Sequence, residues 1–79
     1  MRLHRYGNRS GDSGVVAYLI EGDGILVQFH SGDIYLYNAE KPGDAHVAEM
    51  QARAKAGRGL STYISQHVSD NYAAKFPPL

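Results

Sequence analysis

Cysteine is missing from the 79-residue chain, which excludes disulfides, thiolate metal ligands and a cysteine nucleophile. Small secreted domains usually carry disulfide staples, so the absence favours a cytoplasmic protein. Net charge is missing too. Eight basic and eight acidic side chains cancel, so no global field draws in a polyanion. No apolar run approaches the roughly 18 residues of a membrane span, and the opening MRLHRYGNRSGDSG lacks the apolar stretch of a secretory leader. The Asn8-Arg9-Ser10 triplet therefore reads as a chance sequon. No membrane partner and no cofactor are expected. What remains is 43% apolar and 20% charged, an ordinary globular balance. So short a chain forms one domain and removes only roughly 60–65% of its unfolded surface from water.

The pattern along the chain reads as α+β. Residues 1–14 form a basic, Gly- and Ser-rich N-terminal segment expected to be flexible, in which residues 1–6 are either a tail or a strand on a sheet edge. Residues 15–72 form the single domain. Val15–Glu21 is β-branched and apolar, Gly22-Asp23-Gly24 is turn chemistry, Ile25–His30 alternates, Ser31-Gly32-Asp33 is a second turn, and Ile34–Asn38 is a third strand. Pro42 suits the first position of a helix with Asp44 in its first turn, Val47, Met50 and Ala54 on one face, and Gly57 at its C-terminal cap. Leu60, Ile64, His67/Val68 and Tyr72 form the stripe of a second helix, N-capped by Ser61. Residues 73–79 read as a fraying tail. The expected fold is thus a three-stranded antiparallel meander followed by two helices on one face, βββαα. Its expected core is Val16, Tyr18, Ile20, Ile25, Val27, Phe29, Val47, Met50, Ile64 and Val68.

One ambiguity decides where Tyr35 and Tyr37 point. A two-residue turn at Ser31-Gly32 pairs Phe29 with Ile34 and sends the tyrosines away from the core. A three-residue turn pairs Phe29 with Tyr35 and brings them in, because one residue of slip exchanges the two faces. The strand IYLYN is apolar on both faces, so periodicity leaves both registers open.

The run ILVQFHSGDIYLYN, a Pro-started helix and then AGRGLSTYI resemble the KTSC domain, found as a C-terminal extension of some lysyl-tRNA synthetases and as small stand-alone bacterial proteins. The resemblance spans roughly residues 15–72 and rests on Phe29, Gly32, Tyr35, Tyr37, Pro42, Gly57 and Ile64. It implies inward-facing tyrosines and suggests RNA as a ligand. The chain departs from the family pattern at Leu36, where a charge is common, at Ser61, where Asn is usual, and at Ser65, where Arg is usual.

Candidate sites are few. Arg2, Arg5 and Arg9 cluster early, and Arg53, Lys55 and Arg58 cluster late. With Ser61, the late group stands where the Gly57-Arg58-Gly59 turn enters a helix, a place for phosphate. Tyr63 is a candidate for base stacking, and so are Tyr35 and Tyr37 with His30 if exposed. His4, His30, His46 and His67 show no converging ligand set, so no metal is expected. Gly11-Asp12-Ser13-Gly14 matches the tetrapeptide around a trypsin-like nucleophile, but the chain is too short for that fold and no base is positioned. The sequence therefore reads as a non-enzymatic binding module. Its partner is RNA of a structured, tRNA-like kind, or alternatively a protein, with homodimerisation through a sheet edge and an apolar outer face carrying Val15, Ala17, Leu19 and Leu26.

Overall fold

The computed structural model describes residues 2–7 and 14–78. Five strands, β1 (His4–Arg5), β2 (Val15–Glu21), β3 (Gly24–Phe29), β4 (Ile34–Tyr37) and β5 (Ala74–Phe76), form one antiparallel sheet in chain order. Helix α1 is Asp44–Ala56. Helix α2, Leu60–Tyr63, runs on into a π-helical turn, Ile64–Val68. The architecture is α+β, but a three-stranded sheet is not what forms. The central meander gains a short strand at each edge, one from the N-terminal segment and one from the stretch read as a tail. Two- and three-residue strands carry no readable period, yet they satisfy backbone groups that β2 and β4 would otherwise leave open.

The second turn holds three residues, His30-Ser31-Gly32, with Gly32 last at φ 94°. The amide of Phe29 donates to the carbonyl of Asp33 at 3.1 Å, and that of Gly32 to Phe29 at 2.8 Å. Val27 thus pairs with Tyr35 and Ile25 with Tyr37. The tyrosines share the inner face, as a three-residue turn implies, although the pairing sits two residues from the one expected. An irregularity between Val15 and Ala17 in β2 shifts a second register. Val15 stands opposite Phe29 and is buried, while Val16 is only partly covered. The expected core residue Val16 is therefore replaced by Val15, because the extra residue inverts the alternation.

The core lies between the inner sheet face and the helices. Ile25, Val27 and Tyr37 meet Val47, Met50, Ala54, Leu60, Ile64 and Val68, with Tyr18, Ile20, Phe29, Tyr35 and Tyr72 packed against them. Pro42 does not open α1. Gly43 is the N-cap, and Pro42 sits in a turn organised by the Asn38 side chain, which accepts from the amides of Glu40 and Lys41 at 3.0 and 3.1 Å. At the other end Gly57, φ 76°, closes α1 by donating to the carbonyls of Arg53 and Ala54, the left-handed cap its sequence position suggests. Ser61 is not a cap either. Gly59 precedes the first helical residue, Leu60, whose amide donates to the Tyr6 hydroxyl at 3.2 Å. The second helix ends before Tyr72, which joins the core from the segment beyond it.

Candidate functional site

Tyr6, 4% exposed, is the link between the two basic segments. Its hydroxyl binds the first amide of α2, and the adjoining backbone passes so close to the α1–α2 turn that a Cβ at Gly7 would stand 3.3 Å from the Gly57 Cα. The exit of β1, carrying Arg5, therefore abuts the turn that carries Arg58, just beyond Lys55 in the last turn of α1. All three side chains are exposed, and none forms an ion pair among the described residues. Arg5 also shares a shallow groove with His30. Arg2 is exposed near the start of the same strand. Arg9 falls outside the described residues, as do Asn8, Ser10, Gly11, Asp12 and Ser13.

The remaining members of the predicted site are already engaged. The Arg53 Nε binds Glu49 at 2.8 Å, and its Nη1 donates to the Gly59 carbonyl at 3.3 Å. The guanidinium lies 4.9 Å from the centre of the Tyr63 ring, so it braces the turn from within the chain. Tyr63 in turn shares a 2.7 Å hydrogen bond with His46 Nδ1, and its ring lies 4.5 Å from that of His67. Ser61 is half-buried on α2. Among the described residues no group of three or more His, Cys, Asp or Glu could hold a metal ion, and no helix is long and apolar enough to cross a membrane.

Glu49 shares a groove with Arg53 and Arg58, and other acids gather elsewhere. Glu21 and Asp23 flank the β2–β3 turn, which α1 holds through Gln51, its amide donating to the carbonyls of Gly22 and Gly24 at 3.2 and 3.0 Å. Asp23 and Asp44 line one depression there. Helix α1 thus runs from an acidic end to a basic one, about 20 Å apart at 1.5 Å per residue. Lys41 is the exception, an exposed cation close to the acidic end.

A second feature was not legible in the sequence. Phe29, Tyr35, Tyr37, Ile64 and Tyr72 line a cavity of about 400 Å³ whose rim carries Ser31, Ser69 and Asp70. Tyr37 is 1% exposed. Burial, and then the neighbouring Tyr35 and Tyr72, push its pKa well above the ordinary tyrosine value. Lys75 reaches over Tyr35 from β5, 5.4 Å from the ring centre and 3.8 Å from Asp33. Hydrogen bonding to Tyr35, and then the charges of Tyr35 and Asp33, hold the exposed lysine above its usual pKa. Four of these cavity residues, Phe29, Tyr35, Tyr37 and Ile64, are among those on which the family resemblance rests. In comparisons with known proteins, no family model, curated protein or solved structure matches the chain.

Proposed function

We propose that the chain is a non-enzymatic binding module for a structured polyanion, RNA before others, which meets the phosphate backbone at the end where β1 adjoins the α1–α2 turn. The observation that carries this reading is the contact of Tyr6 and Gly7 with Leu60 and Gly57, which joins two basic segments far apart in sequence. A neutral protein binds a polyanion only where cations are concentrated and acids kept away. Arg5, Lys55 and Arg58 supply the cations, with Arg2 exposed near the start of the same strand, and Glu49, which shares a groove with Arg58, is paired with Arg53. The resemblance to the KTSC domain, with its suggested RNA ligand, supports the same reading. Arg53 and Tyr63 belong to the scaffold in this reading, not to the contact surface.

Anisotropy titration against a folded tRNA tests it. With about three phosphate contacts, affinity is expected to fall roughly 20- to 40-fold between 50 and 200 mM salt. The Lys55→Ala/Arg58→Ala pair should cost about tenfold at low salt and flatten the salt slope. No binding at low salt, or binding indifferent to the double substitution, removes the proposal.

A second reading, self-association, is favoured by the outer sheet face. The helices pack on the other side, and this face carries Ala17, Leu19, Leu36 and Phe76, the last 42% exposed, around Leu26 and Ile34, which are already buried within the chain. Mass in solution separates the two.

A further inference from the structure

The aromatic cavity is not used by the polyanion reading, and Asp70 at its rim would repel phosphate. Its volume, about 400 Å³, lies within the range of small-ligand sites, as do the grooves beside Arg58 and Arg5, so its lining and not its size sets it apart. The arrangement of its rings says which kind of ligand. Tyr72 stands edge-on to Tyr35, 4.8 Å away at 80°, and nearly perpendicular to Tyr37, 6.5 Å away at 87°. Phe29 meets Tyr35 at 5.3 Å and 88°. Tyr35 and Tyr37 lie side by side in one wall, 6.5 Å apart at 18°. Rings set at right angles form the corner of a box, whereas a nucleobase needs two parallel faces spaced to clamp it. A box corner offers π-density from several directions to a compact group, and π-faces attract cations. Lys75, paired with Asp33 at 3.8 Å, already holds its ammonium 5.4 Å from the centre of the Tyr35 ring, so one ring of the cluster has a cation beside it.

Two further observations point the same way. Asp70 is exposed at the mouth and has no ion-pair partner among the described residues. The backbone that delivers Asp70 is unusual. Ser69 has φ 44° and ψ −114°, a conformation that L-residues avoid, directly after the π-helical turn, and it is fixed there by its amide donating to Ile64 at 2.6 Å. Strained residues and π-turns concentrate where a site is being shaped.

We propose that this cavity binds an alkylated ammonium group, the chemistry shared by choline and a methylated lysine side chain. Phe29, Tyr35 and Tyr72 surround the methyl groups and the Asp70 carboxylate faces the charge. Methyl groups matter because a bare ammonium is strongly hydrated and would leave water reluctantly, whereas a methylated one presents a charge clothed in apolar surface.

The test is an NMR titration that follows the ring protons of Tyr35 and Tyr72. The probes are choline, a short peptide bearing trimethyl-lysine, and 3,3-dimethylbutanol, the uncharged carbon isostere of choline. Both cations should shift these protons saturably, and the isostere should bind at least about tenfold more weakly. Asp70→Asn, a change at an exposed side chain, should weaken the cations about threefold or more and leave the isostere unaffected. Tyr72→Phe, which keeps the ring, should stay within about twofold of the parent. Equal affinity for the isostere, or no saturable shift up to about 50 mM of either cation, overturns the assignment. Tighter binding of choline marks a free small molecule as the source, and tighter binding of the peptide a modified protein segment. Either result upholds the ammonium chemistry, and neither depends on whether tRNA is bound.

Discussion

Tyr37 belongs both to the core and to the lining of the cavity, and its burial has a consequence in alkali. In the folded chain its pKa stands above the ordinary value near 10, chiefly because burial disfavours the phenolate. A raised folded pKa means that the unfolded chain loses this proton first. Its contribution is therefore intact below about pH 10 and is lost as pH climbs from there toward the folded value, at up to about 1.4 kcal/mol per pH unit. Denaturant midpoints measured between about pH 9 and 11.5 should fall more steeply for the native sequence than for Tyr37→Phe. Of the six tyrosines, one should resist ionisation in an ultraviolet titration until the chain unfolds. Parallel midpoint curves for the two proteins would refute this.

At the scale of elements, β1 is held less by its own two residues than by Tyr6, the residue after it. The Tyr6 hydroxyl satisfies the first amide of α2, a group a helix start cannot satisfy from within. Tyr6→Phe keeps the buried ring but leaves that amide unpaired, and should cost about 1–2 kcal/mol in chemical denaturation. It should also weaken the tRNA affinity, if the basic end depends on this latch. An unchanged midpoint would show that the hydrogen bond contributes nothing.

The same elements show how far the sequence could be read. The three central strands, α1 and its glycine cap arise from alternation, helical spacing and turn residues, which are local signals. The edge strands do not, because pairing of two or three residues is decided by the neighbour they meet. Val15 and Val16 are chemically identical, so only the bulge chooses between them. Tyr6 was a lone aromatic in a polar run, and its partner lies 54 residues away. The cavity draws on β3, β4, the π-helical turn and the segment after it, and the early ending of the second helix that frees Tyr72 has no sequence period to announce it. Pro42 and Ser61 were placed by residue preference, whereas the turn from Asn38 sets the cap at Gly43, and the start of α2 after Gly59 is completed by the distant Tyr6 hydroxyl.

For the whole molecule, three surfaces compete to define what it does: the outer sheet face, the basic end and the aromatic cavity. If the outer sheet face is an interface, light scattering at high concentration should report twice the 8.7 kDa of one chain, and Phe76→Ser should return it to a monomer. A monomer at millimolar concentration would leave the basic end and the aromatic cavity as the working surfaces. The edge strands bear on this question: at two and three residues they offer little ladder for a second copy to extend, so association would have to proceed face to face.

A body with no net charge whose opposite charges sit at the two ends of one helix feels little pull from a distant polyanion but a definite torque. It turns before it travels, presenting Lys55 and Arg58 and trailing Asp23 and Asp44. Encounters would begin as alignment, effective only within a screening length, and added salt would abolish that orienting influence before it dissolved the finished contact.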